Sequence, residues 1–278
     1  MSGFRRRILG LLARRKALAV FGLVMPGGIW LAVFFVVPML LMLGISFMPR
    51  GVYGGVEPGF TLEHYRRFLD PLYLQVLART LGWALLATVG GLLLGYPVAW
   101  VIARSRFKNL LLFLVVLPFW TSFLVRTFAI IFLLRDTGLV NAALLRLGII
   151  QEPLTLLYTP FAVLLGLVYG FLPFMVLPIY ASLEKLDPAL EEAAEVLGAR
   201  PVTRFFTVIA GSLLVFVPAL GSFLTSDLLG GAKQVMIGNL VQNQFTVARN
   251  WPFGSAVSFV LMAVVLVAVM ASLRRRAQ

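Results

Sequence analysis

Residues 157–181 read LYTPFAVLLGLVYGFLPFMVLPIYA, a run without a charged side chain. About 20 apolar residues carry a helix across the roughly 30 Å hydrocarbon core of a bilayer. Five further stretches of the 278-residue chain qualify: within 18–48, and at about 78–103, 110–134, 208–229 and 253–273. The first is longer than one crossing needs. Pro26-Gly27-Gly28 is expected to break it, leaving 29–47 as the crossing and 18–25 as an interfacial lead-in. Composition agrees: 60% of residues are hydrophobic and 13% charged, with mean hydropathy +0.97. A soluble domain is about half apolar and roughly a quarter charged, and a globule of this size has too little interior for so much apolar surface. The sequence predicts an all-α integral membrane protein with six transmembrane helices.

The formal charge is +13, from 24 Lys and Arg against 11 Asp and Glu. On a soluble chain that balance would suggest nucleic-acid binding. Here the basic residues sit in short clusters between apolar runs, which makes them topology signals. With the N-terminus inside, the inner segments carry fifteen, including Arg5-Arg6-Arg7, Arg14-Arg15-Lys16 and Arg274-Arg275-Arg276, and the outer segments carry eight. Both termini are therefore expected in the cytoplasm. The first apolar stretch is too long for a signal-peptide core and lacks a small-x-small cleavage site, so it reads as a retained span. The expected layout is a basic tail (1–17), one membrane domain (18–273) and a second basic tail (274–278). There is no Cys and a single His, His64. Disulfides, thiolate metal sites and multi-His sites are excluded, and His64 is expected to pack or be solvated.

Helices in lipid lack a hydrophobic drive to associate, so small residues that allow close backbone approach mark their contact faces. Gly91, Gly95, Ala99 and Ala103 form one such ladder, and Ala162, Gly166 and Gly170 another. Pro97, Pro118, Pro173, Pro178 and Pro218 lie inside expected spans, where each frees a carbonyl and can kink its helix.

The connection 182–206 is unlike the other inner segments. Five of the 11 acidic residues fall between Glu184 and Glu195. Asp187 suits a helix N-cap, Pro188 the first helical position and Gly198 the left-handed position after the last turn. Leu190, Ala193, Ala194 and Leu197 fall on one narrow face with small residues at its centre. That face fits either a protein partner's groove or a solvated loop helix.

Glu192-Ala193-Ala194-x-x-x-Gly198 resembles the EAA signature of ABC importer permeases, whose cytoplasmic helix docks on an ATP-binding subunit. Pro118-Phe119-Trp120-Thr121, Leu172-Pro173-Phe174-Met175, Ser226-Asp227 through Lys233, Ile237-Gly238-Asn239 and Trp251-Pro252-Phe253-Gly254 resemble the permeases of spermidine/putrescine importers. The resemblance spans roughly 18–271. It implies a type I ABC importer permease fold in a bacterial inner membrane, with Glu192, Ala193, Ala194 and Gly198 coupling to separate ATP-binding subunits. It also implies a second, homologous permease chain and an external polyamine-binding protein. In one place the chain departs from the family. Nine residues after the signature glycine the family has Ile-x-Leu-Pro, whereas Val208-Ile209-Ala210-Gly211 stands here, so a short deletion is expected at the start of the fifth span.

A pathway for polycations should offer acids, carbonyls and aromatic faces, since cation–π contacts suit ammonium groups. Asp227 is the only acid within an expected span, and an intramembrane ionisable residue is a functional candidate. It either faces the pathway, pairs with Arg126 or takes backbone amides. Trp100, Trp120 and Tyr169 are the aromatic pathway candidates, each also readable as a packing or lipid-facing residue. No Gly-x-x-x-x-Gly-Lys-[Ser/Thr] occurs, so ATP must be handled by another subunit. No enzyme constellation, cofactor site or nucleic-acid partner is expected. An importer permease for another small organic solute remains an alternative. So does an ion-coupled secondary transporter, although such proteins tend to show inverted repeats and several mid-membrane ionisable groups.

Overall fold

In lipid every backbone N–H and C=O must be satisfied within the protein, so apolar stretches become helices. The computed structural model of the chain describes residues 22–185, 213–231 and 233–274. In order these form α1 (Gly22–Ser46), α2 (Glu63–Phe68), α3 (Pro71–Arg104), α4 (Lys108–Val116), α5 (Phe123–Leu134), α6 (Leu139–Arg146), α7 (Pro160–Glu184), α8 (Leu213–Leu220), α9 (Phe223–Gly230), α10 (Ile237–Thr246) and α11 (Trp251–Arg274). Five described segments are long and apolar enough to cross a membrane: Gly22–Ser46, Pro71–Arg104, Phe123–Arg146, Pro160–Glu184 and Trp251–Ala271.

Four sequence expectations need correction. α1 runs through Pro26-Gly27-Gly28 without a break and widens instead to a π-helical stretch at Ala32–Val36. One proline deletes one ladder bond, and exposing more backbone to an apolar solvent would cost more. α3 begins at Pro71, well before the expected 78. Asp70 caps it by accepting from the Leu72 N–H at 3.0 Å, and Pro71 supplies the pre-set first φ. The expected third span, 110–134, is interrupted. α4 tightens into a 3₁₀ turn at Leu117–Trp120, Thr121 and Ser122 are extended, and α5 begins at Phe123. In the fifth span α8 and α9 are separated at Gly221-Ser222. Its start at 208–212, with the apparent deletion, lies outside the described residues.

Both small-residue ladders are contact faces. α3 and α7 form the most extensive helix pair, with Gly91, Gly95 and Ala99 buried and a Cβ on Gly95 placed 3.0 Å from Met175 Cγ. The second ladder turns α7 toward α9 and α5. A Cβ on Gly166 would stand 2.2 Å from Leu229 Cδ1 and 2.8 Å from Thr225 Cγ2, and one on Gly170 would stand 3.2 Å from the Phe123 ring. Apolar clusters fill these seams, one around Ala162, Val163, Leu167 and Leu229 and another around Ala99, Met175, Val176 and Val215. α1 contributes nothing to a core over 22–38, and its side chains there are exposed.

The two ends of the bundle differ. At one end Lys108 Nζ donates to Glu184 Oε1 at 2.8 Å, joining the start of α4 to the end of α7. That bond holds the Lys108 ammonium above the ordinary lysine range. The opposite end is a dense cap of loops. Arg50 and Val56 form a short antiparallel bridge, which Gly55 N–H and Arg50 Nη2 tie to the carbonyls of Arg249 and Ala248. His64 is buried and donates through Nε2 to the Met48 carbonyl at 3.0 Å, so it packs the cap. Asn141, fully buried, donates to the Arg135 and Leu154 carbonyls and accepts from the Leu154 N–H.

Candidate functional site

The loop end of α9 gathers the most polar chemistry among the described residues. α9 stops because Gly231 takes the left-handed conformation, φ +55°, with the Tyr158 ring against its α-carbon. The chain then re-enters the bundle edge as α10. Asn239 organises that return. Its Oδ1 accepts from the Met236 N–H at 2.9 Å, and its Nδ2 donates to the Phe223 carbonyl at 3.0 Å and to Asp227 Oδ1 at 2.5 Å. Thr80 of α3 accepts from the buried Ile237 N–H at 2.8 Å while donating to the Val76 carbonyl at 2.7 Å. Ser226 donates to the Gln234 carbonyl. These bonds fasten α10 to both α3 and α9.

Asp227 is thus held on one side and exposed on the other. It lines an open cavity of about 550 Å³ with Phe128 and Ile131 of α5, Arg135, Tyr158 and Lys233. Of the three alternatives for this acid, pairing with Arg126 is not what forms. The Arg126 guanidinium lies over the rings of Phe119 and Phe123, 5.1 and 5.7 Å from their centroids, and its Nε has no hydrogen-bond partner. The partner is the Asn239 side chain, which sequence spacing did not single out for this role.

The other pathway candidates stand apart from this cavity, on other elements. Trp120, 75% exposed, is edge-on to Phe113. Trp100 is half-exposed on α3 with the Arg104 guanidinium 4.4 Å from its ring centroid, and Tyr169 is half-exposed on α7. Glu192, Ala193, Ala194 and Gly198 lie outside the described residues. No group of three or more His, Asp or Glu side chains that could hold a metal occurs among the described residues.

Arg135 and Lys233 line the cavity with Asp227, whose carboxylate is the one negative charge among its lining residues. Removing it would leave only positive charge on that lining, and a pair of unit charges about 4 Å apart is worth about 1–4 kcal/mol between bulk water and a protein surface. Asp227→Asn preserves the acceptor for Asn239 and removes only the charge. Assembly is expected to stay at the wild-type level, while the apparent KM for uptake of a small polycation rises about tenfold or more. Loss of assembled protein would make Asp227 a structural residue instead.

No family model matches the chain. It is 46% identical over 246 residues to the spermidine/putrescine transport system permease protein PotB of Escherichia coli (strain K12), covering 84% of this chain and 90% of that one. Those 246 aligned positions exceed the 84% of a 278-residue chain that they span, so the relative carries residues that this chain lacks. Among solved structures, the fold is similar to a bacterial ABC transporter involved in the import of the acidic polysaccharide alginate. There the TM-score is 0.69 at 20% identity, covering 96% of this chain and 99% of that one. A bacterial alginate ABC transporter in complex with an alginate pentasaccharide-bound periplasmic protein matches with TM-score 0.69, 20% identity and 92% and 93% coverage of this chain and that one.

Proposed function

The chain belongs to the spermidine/putrescine transport system permease family of ABC importers, and from that premise we propose that it forms half of the pathway by which an ATP-driven importer moves polyamines inward. The observation that carries this reading is the 46% identity, spread over 84% of the chain, to a permease named for those substrates. Six passes account for the described helices when α4 with α5, and α8 with α9, each count as one interrupted crossing. The basic residues then put both termini, and the Lys108–Glu184 end, in the cytoplasm of a bacterial inner membrane.

The remaining partners follow from the family. A second, homologous permease chain closes the pathway. Two ATP-binding subunits supply the energy, since this chain has no phosphate-binding loop of its own. An external polyamine-binding protein delivers substrate to the loop end, as supported by the fold neighbour solved with a periplasmic protein. The 182–206 connection, with Glu192, Ala193, Ala194 and Gly198, is the docking element for an ATP-binding subunit. Closing and separation of those subunits would then rock the pathway between outward and inward openings.

The energy source separates this reading from an ion-coupled transporter. In cells, polyamine uptake through the complex should stop when the ATP-binding partner is removed and persist when the proton gradient alone is dissipated. Uptake that survives loss of the partner and collapses with the gradient would overturn it.

A further inference from the structure

We propose that the interruption of the third crossing, Leu117–Ser122, faces water at the middle of the membrane and forms part of the pathway wall. This placement deepens the importer reading and rests on it. The break is complete: Thr121 (φ −94°, ψ 146°) and Ser122 (φ −57°, ψ 143°) are extended, and the Ser122 side chain does not cap α5.

With α4 and α5 as the crossing, and the non-helical turn at 135–138 ending it, two measures put the break at mid-depth. From Lys108, α4 and the 3₁₀ turn rise about 21 Å and α5 adds about 18 Å beyond the break, against a hydrocarbon core of about 30 Å. Independently, the Phe119 ring lies 5.1 Å from that of Phe174, which stands about 15 Å along α7 from Glu184.

Non-helical backbone is not tolerated against lipid at that depth; it must be buried in protein or line water. This chain does not bury it. Thr121 and Ser122 are exposed and Trp120 is 75% exposed. One turn further, Arg126 keeps its charge between two phenyl rings with Nε unpaired, an expensive arrangement in hydrocarbon. An exposed Thr121-Ser122 pair, an exposed indole face and a buried Arg126 Nε without a partner, close along the chain, describe a hydrated wall. The Trp120 ring gives ammonium groups a face to meet there.

The chain contains no cysteine, so each substitution places a single thiol in it, and labelling is read on this chain after it is separated from its partners. Trp120→Cys, Thr121→Cys and Ser122→Cys would be introduced one at a time into the complete transporter in membrane vesicles. Each would be treated with a small cationic methanethiosulfonate, with Leu93→Cys, exposed and apolar on α3, as the reference. The thiolate is the reactive form and apolar surroundings suppress it, so Thr121→Cys and Ser122→Cys should react about tenfold or more faster than Leu93→Cys. Spermidine with ATP should slow them. Reaction no faster than at Leu93→Cys, in vesicles that still take up polyamine, would mean that a companion chain covers the break, and the inference would fall. Fast labelling in vesicles that take up no polyamine would instead leave the hydrated wall standing and remove the substrate assignment.

Discussion

Gly166→Leu should leave almost no assembled transporter in the membrane. The α7–α9 seam has no room at this position. Even a Cβ would meet Leu229 Cδ1 at 2.2 Å and Thr225 Cγ2 at 2.8 Å, and both side chains are fully buried, at 0% and 1% exposure. Leu229 is packed within the α7–α9 apolar cluster, and Thr225 is β-branched and stiff. Added methylenes in a packed seam cost about 1–3 kcal/mol, more when backbone must move, against a total stability of about 5–15 kcal/mol. Gly166→Ala should therefore lower the Tm of the purified complex, and Gly166→Leu should abolish its accumulation. Adding Leu229→Ala should return part of the loss, since the two sites share one contact. Wild-type yield and Tm for Gly166→Leu would show that α7 and α9 do not approach this closely.

Ala194→Phe should eliminate transport without unfolding the membrane domain. On the proposed reading Ala193 and Ala194 are the small centre of the docking face of the 182–206 segment. A phenyl ring there holds the two surfaces apart. Overpacking of about 1–3 kcal/mol lowers a docked population about tenfold or more at 1.4 kcal/mol per tenfold. The expected result is a correctly inserted permease pair that no longer co-purifies with the ATP-binding subunit and no longer accumulates substrate. A conservative change outside the Leu190, Ala193, Ala194 and Leu197 set, such as Glu191→Gln, should have little effect by comparison. Normal uptake by Ala194→Phe would mean that this face docks nothing.

How much of the fold is legible in the sequence depends on which forces are local. Apolar length and small-residue spacing act along one helix, and the ladders at Gly91 and Gly166 turned out to be contact faces. Prolines were ambiguous. Pro97, Pro173 and Pro178 stay inside continuous helices, whereas Pro118 and Pro218 precede breaks. The difference lies three or four residues downstream. Thr121-Ser122 and Gly221-Ser222 offer hydroxyls or a free φ that let the chain leave the helix, and Thr121 Oγ1 indeed donates back to the Pro118 carbonyl at 2.7 Å. Apolar residues follow Pro97 and Pro173 there, but after Pro178 the Ser182 hydroxyl donates to the Pro178 carbonyl at 2.9 Å and α7 still continues, so a hydroxyl alone does not end a helix. The Asp70-Pro71 start of α3 carried an ordinary cap signal that hydropathy alone passes over. The bonding of Asn239 is not legible in sequence, because its three bonds join residues that only tertiary folding brings together. Asp227 was visible as a charge in an apolar span, but its neighbours Arg135 and Lys233 were not.

The most direct test of the central claim is accumulation of labelled spermidine in vesicles reconstituted with this chain, its companion permease, the ATP-binding subunits and the external binding protein. Uptake against a concentration gradient that requires ATP on the cytoplasmic side, and that unlabelled putrescine competes away, is the predicted result. Uphill accumulation by this chain alone, or ATP-driven uptake indifferent to polyamines, would contradict it.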